Sequence, residues 1–175
     1  LQTGPFGSQL HQADYEVAGT PVIMPKDLIS GHISTDSIAR VGAVHVQRLH
    51  QHVVREGDII FSRRGDVGRS AYVTSNEDGW LCGTGCLRAT IDKTIANSRF
   101  VFESLQQPST ICWLTQHAIG AIMLNLNTQI LSQVPICLPP LPEQRAIAGV
   151  LSALDDKIEL NRKICKELEE TAKLI

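Results

Sequence analysis

From Ile147 to the end of the chain, seam-type residues recur at alternating spacings of four and three: Ile147, Leu151, Leu154, Ile158, Asn161, Cys165, Leu168, Ala172 and Ile175. That alternation is the signature of a coiled-coil seam, and it holds for about four heptads. Val150 and Ile164 widen the stripe on one side, and Asp155, Asp156, Lys157, Glu159, Arg162, Lys163 and Lys166 take the other faces. Pro139, Pro140 and Pro142 hold the approach extended, and Pro142 suits a helix start, where its missing N–H is not needed. Glu143 then lies in the first turn, where negative charge favours the helix dipole. The pattern predicts one helix over Glu143–Ile175, roughly 50 Å long at 1.5 Å per residue. A helix of that length cannot bury its seam on itself, so it needs a partner helix. An ordinary core helix is the competing reading, but such helices are shorter and less regular. Asn161 is the polar seam residue expected to fix register.

The rest of the chain has to supply a fold for that helix to leave. With 175 residues there is room for one modest core plus one projecting element. A hydrophobic content of 43% with 19% charged residues fits a globular chain rather than a disordered one. The longest apolar run, Ala118–Leu124, is far too short for a membrane span. Five scattered cysteines (Cys82, Cys86, Cys112, Cys137, Cys165) suggest a reducing compartment, and hence a cytoplasmic protein. The chain opens on Leu1, inside a turn motif, so an excised fragment is expected. Net charge is −2, and neither the helix nor the remainder is basic. Any contact with nucleic acid must then rest on a local patch or on partner subunits.

Read in order, Gly4-Pro5-Phe6-Gly7-Ser8 is a turn. Val22–Met24 is a short buried strand, and Asp27–Ser37 is loop-like. Val44–Val54 carries a passable helical pattern, its histidines (His45, His50, His52) too badly spaced for metal ligands and better suited to solvent. Ile59–Phe61 reads as a buried strand, Arg63–Gly68 as a tight turn and Ser70–Thr74 as the returning strand. Trp80–Ile91 reads as a strand, while Cys82-Gly-Thr-Gly-Cys86 within it, too widely spaced for a zinc knuckle or redox pair, reads as a flexible turn with core thiols. Asn97–Gln106 and Ser109–Ala118 read as helices split by Pro108, with Ser109 as a cap. Ile119–Leu126 reads as a strand, Thr128–Ser132 as a helical turn and Val134–Leu138 as a last strand. The fold class expected is α+β: a mixed globular domain over 1–138 with a twisted sheet, then a coiled-coil helix over 139–175.

Two stretches carry a family resemblance. The run Leu138-Pro-Pro-Leu-Pro-Glu-Gln-Arg-Ala-Ile-Ala-Gly-Val-Leu-Ser-Ala-Leu-Asp-Asp-Lys-Ile resembles the conserved helical region of specificity subunits of type I restriction–modification systems. Gly57-Asp-Ile-Ile-Phe-Ser-Arg-Arg-Gly-Asp-Val-Gly-Arg69 and the turn at 4–8 resemble parts of the target-recognition domain of that family. The resemblance implies a non-catalytic DNA-reading subunit with no cofactor of its own. Its implied partners are double-stranded DNA, methyltransferase subunits that use S-adenosylmethionine, and restriction subunits that use ATP and magnesium. In such subunits each recognition domain reads half of a bipartite site, and the helices set the spacer. One domain and one helix then imply a homodimer through the 147–175 seam.

Within that frame the DNA-contact candidates are Arg63, Arg64, Arg69 and Arg88, with Gly4, Phe6 and Ser8 beside them. Arginine forks suit guanine edges and phosphates. The alternative is that these arginines solvate a hairpin tip or pair with Asp58 or Asp66. No catalytic motif or metal-ligand set is legible in the sequence. Two rival classes remain: a coiled-coil protein-interaction module, and the recognition domain of a fused restriction–methylation enzyme.

Overall fold

The computed structural model describes residues 1–120 and 124–173. Its centre is a four-stranded antiparallel sheet in the order β1 (Gln2–Thr3), β10 (Cys86–Ala89), β7 (Ile59–Ser62), β8 (Ser70–Tyr72). A second sheet has the order β2 (Tyr15–Glu16), β6 (Ala39–Val41), β3 (Thr20–Ile23), β9 (Leu81–Cys82), with β3 and β9 parallel. A hairpin, β4 (Leu28–Ile29) and β5 (His32–Ile33), turns at Ser30 and Gly31, both at positive φ. With the helices below, this is an α+β fold ending in a long helix.

The central sheet is covered on both faces. Ile59 and Phe61 face the helices, packing with Val101, Phe102, Leu105, Leu114 and Leu131. Ile60 faces the other way, with Ile23, Leu28, Val54 and Cys82. A strand covered twice has no polar face, which is why residues 59–61 read as a continuous apolar run rather than an alternation. The helical layer is α2 (Ser98–Leu105), α3 (Pro108–His117) and α4 (Thr128–Leu131).

Several sequence expectations are corrected. The helix expected over 44–54 is only α1 (Ala43–Arg48) followed by a 3₁₀ turn, because Val53 turns into an extended bridge with Leu81. That places His52 in the interior rather than in solvent. Trp80–Ile91 is not one strand but two, separated by the turn expected at 82–86, with Cys82 and Cys86 buried as expected. The chain leaves one sheet after Cys82 and joins the other at Cys86. Gly83 makes the crossing, since a Cβ there would lie 2.6 Å from the Ile23 carbonyl oxygen. Ser109 does not cap α3, which Pro108 opens after Gln107 with no side-chain cap, while Asn97 caps α2, accepting from the Phe100 N–H at 2.9 Å. The loop expected over 27–37 holds the β4–β5 hairpin, and Val134–Leu138 joins no strand. Ala121–Met123, in the middle of the strand expected over Ile119–Leu126, lie outside the described residues, and Ile119 and Asn125 on either side form an antiparallel bridge.

The terminal helix, α5 (Leu141–Ala172), is about 48 Å long. Its first turns dock on α2. Gln144 is 1% exposed; its Oε1 accepts from the Asn97 N–H at 2.9 Å and its Nε2 donates to the Pro139 carbonyl at 2.7 Å. Ala148 is buried beside it. Further along, Arg99 of α2 pairs with Asp155 and lies 5.1 Å from the centre of the Tyr72 ring. Arg99 Nε also sits 2.8 Å from Glu103 Oε1, at an angle too bent for a hydrogen bond, so that contact is ionic. Residues 160–173 are exposed. The expected seam points away from the domain: Ile147, Leu154, Ile158, Asn161, Cys165, Leu168 and Ala172 are exposed and Leu151 half-buried, while Ile175 is outside the described residues. Within this chain α5 is therefore not a core helix.

Candidate nucleic-acid interface

Antiparallel pairing decides which loops meet. In the order β1-β10-β7-β8, the C-terminal ends of β1 and β7 and the N-terminal ends of β10 and β8 share one edge of the sheet. The segments 4–8, 63–69 and 83–85 must therefore gather there. β3 and β9 run parallel toward the same point, which adds Pro25 and Lys26.

The contacts are close and numerous. Gly4 donates to the Cys86 carbonyl at 2.9 Å, and a Cβ on Gly4 would overlap the Gly83 carbonyl oxygen. Arg63 donates its backbone N–H to Gly85 at 2.8 Å and accepts from Leu126 at 2.8 Å. Arg64 bridges to Asn125, and Gly65 donates to Leu124. Val67, in the middle of the hairpin loop, is buried in the helix-side core and pins the loop. The turn at 4–8 is closed by Gln9, whose N–H donates to the Phe6 carbonyl while its Oε1 accepts from the Phe6 N–H. These loops are held by the core rather than free.

The structure separates the predicted residues into two groups. Arg64 and Arg69 are exposed, and Arg63 is half-buried with its guanidinium 5.8 Å from the centre of the Phe6 ring. Phe6 is 60% exposed, and Gly7 and Ser8 are exposed beside it. Arg69 pairs with Asp66 at 2.8 Å, as the pairing alternative held. Both partners are about half exposed, so this pair stabilises weakly and can exchange for a phosphate. Arg88 differs. Its guanidinium donates to the Val53 carbonyl and to Gln2 Oε1, approaches the buried Asp58 at 3.8 Å, and is 17% exposed. An interior carboxylate needs such a partner, so Arg88 is a structural cation and leaves the interface set. Gly4 is buried and shapes the turn without being reachable.

Lys26 was missed. It lines a cleft of about 240 Å³ with Pro25, Ser62, Arg64, Asp66 and Arg69, and its Nζ donates to the Ser37 carbonyl at 3.1 Å. No local pattern marks it, because its position depends on β3 meeting β9. This end thus carries Lys26, Arg63, Arg64 and Arg69 against the exposed Asp66, a local basic patch on a chain of net charge −2. Three polar atoms buried here find no hydrogen-bond partner among the described residues: Arg63 Nε, Thr84 Oγ1 and Asn125 Oδ1. Chemically, the arrangement offers cationic forks, one exposed aromatic ring and unsatisfied polar groups, with no nucleophile–base pair. Among the described residues, no three His, Cys, Asp or Glu side chains gather to hold a metal.

Comparison with known proteins gives a consistent result. Residues 11–170 match the family described as the type I restriction modification DNA specificity domain. A protein of Methanocaldococcus jannaschii, provisionally named the MjaX type I restriction enzyme specificity subunit, is 33% identical over 126 residues, or 70% of this chain and 28% of that one. The crystal structure of the HsdS subunit from Thermoanaerobacter tengcongensis superposes with a TM-score of 0.60 at 23% identity, covering 89% of this chain and 40% of that one. A chain from a structural study of complex assembly and conformational transition in a type I restriction–modification system gives 0.63 at 22% identity, over 99% and 44%. The last two likenesses concern the fold. The chain spans about a quarter of the curated relatives it matches and less than half of the solved chains.

Proposed function

The chain belongs to the type I restriction modification DNA specificity family, and on that premise we propose that it reads half of a bipartite duplex target. Residues 1–138 form the recognition domain, and 139–175 form the spacer and docking helix. The observation that carries this reading is the convergence of Arg63, Arg64, Arg69 and Lys26 on one pinned edge of the sheet. Guanidinium forks there suit phosphates and guanine edges, and the rigid loops fix their spacing. As a specificity domain the chain is non-catalytic and needs no cofactor. Methyltransferase subunits would supply S-adenosylmethionine chemistry, and restriction subunits ATP- and magnesium-dependent cleavage. A cytoplasmic location follows from DNA as the target; no helix among the described residues is long and apolar enough to cross a membrane.

The exposed stripe on α5 supports a homodimer through the helix, with two recognition domains reading a palindromic, interrupted site. A helix of about 48 Å is close to one and a half turns of B-DNA at ~34–36 Å per turn, a fitting length for a spacer.

The test is selection from random-sequence duplex DNA, with and without a methyltransferase subunit of such a system. A two-part motif with a fixed gap is expected, and a palindromic one if the helix dimerises. No enrichment even with the methyltransferase subunit would overturn the DNA reading and leave a coiled-coil protein-interaction module.

A further inference from the structure

Phe6 is an exposed ring that the core does not use. It is 60% exposed and belongs to none of the three core clusters. Single exposed apolar residues are common, so exposure alone carries nothing. What sets Phe6 apart is that its position is fixed. Its N–H and its carbonyl are both tied to Gln9, and Gly4, two residues earlier, is bound to Cys86 and pressed against Gly83. A rigid turn therefore carries an aromatic ring outward beside the basic edge of the sheet. Above one face of the ring, 5.8 Å from its centre, lies the Arg63 guanidinium, whose Nε finds no hydrogen-bond partner among the described residues.

We propose that Phe6 stacks on a nucleobase of the bound duplex, entering at a base step next to the pairs read by the hairpin arginines. This rests on the DNA-reading function above and specifies how one residue of that site acts. Two features favour a base over a phosphate or a protein side chain as the ring's target. The ring is apolar, so it gains nothing from a phosphate, but every base offers it a π-face. The positive charge on one side of the ring fits an electron-rich partner, and the flanking Arg64 and Arg69 hold a polyanion in place. Apolar side chains that enter between base steps unstack them and kink the duplex. A ring whose turn is already pinned loses little conformational freedom on doing so.

The test uses the full chain and a duplex obtained by selection from random-sequence DNA, with 2-aminopurine placed in turn at each adenine within and beside the recognised half-site. On binding, fluorescence is expected to rise at one step, which reports unstacking there. Phe6→Ala should abolish that rise and weaken binding by roughly tenfold or more, while Phe6→Trp should keep both. Because the ring is exposed, the melting temperature of Phe6→Ala should match that of the wild type. Unchanged affinity, or a rise that persists in Phe6→Ala, overturns the proposal. It is overturned equally if Phe6→Ala weakens only the complex containing the methyltransferase subunit and leaves fluorescence unchanged, since the ring then packs on that protein. These outcomes leave the DNA-reading function standing; that function falls only if no duplex is selected at all.

Discussion

Two faces of α5 invert the usual rule for an amphipathic helix. The face against its own domain carries Gln144, Ala148, the half-buried Leu151 and Asp155, and the face in solvent carries Ile147, Val150, Leu154, Ile158 and Leu168. Leu154 is 56% and Leu168 63% exposed. A helix built only to stabilise this domain would turn its leucines inward. Here the inward face is held by directed polar contacts that fix the direction in which the helix leaves. The apolar stripe is left for a surface outside this chain. On the homodimer proposal, the docked face specifies geometry and the free face would supply association energy.

The largest effect should come from the free face. Leu154→Glu with Leu168→Glu removes four buried leucines from a symmetric dimer, about 6–12 kcal/mol at ~1.5–3 each. A micromolar dissociation constant corresponds to about 8 kcal/mol, so sedimentation should show monomers at micromolar concentration, with the domain still folded. A variant that stays dimeric would remove the seam assignment and, with it, the contrast between the faces.

The docked face should respond differently. Gln144→Ala leaves the Asn97 N–H and the Pro139 carbonyl without partners, an expected loss of about 2–4 kcal/mol. Urea denaturation should show a lower midpoint, while the dimer interface, if intact, keeps its affinity. A loss of dimer affinity as large as the loss of domain stability would show that the two faces are not independent.

The smallest effect is a pH dependence at the same junction. Burial lifts the Glu103 carboxyl above its usual value, outweighing the Arg99 guanidinium beside it, and the Asp155 charge adds to the rise. A carboxyl with a raised native value binds its proton more tightly when folded. Its contribution is therefore full below the unfolded value near 4.5 and is lost as pH rises through the native one. Glu103→Gln is neutral throughout and should flatten the slope of stability above pH 4.5. At neutral pH the change should be modest, since the Arg99 guanidinium offsets part of the burial cost of the charged carboxylate. A steeper slope in the variant would mean that the Arg99 pairing dominates.

The candidate interface teaches a parallel lesson. Arg64 and Arg88 are the same residue type, each close to or within a strand of one sheet, and the sequence weighs them equally. The first ends in solvent because its loop projects from the sheet edge. The second turns inward because Asp58 and the Val53 carbonyl lie buried across the strand from it. Those partners are 30 and 35 positions away, so no window around Arg88 contains the information. Lys26 was missed for the converse reason, since only the pairing of β3 with β9 brings it to the arginines.

By itself the sequence determined what depends on short-range periodicity and backbone chemistry: the proline approach, the long helix and its seven-residue apolar repeat, and the buried strand and hairpin at 59–72. These features are set by side-chain spacing and by dihedral limits that act within a few residues. Only the tertiary structure decided which face of α5 meets the domain, that the chain changes sheets at Gly83, and which arginines remain free. Each of those outcomes depends on a contact between segments distant in the chain, where burial and hydrogen-bond satisfaction override local preference.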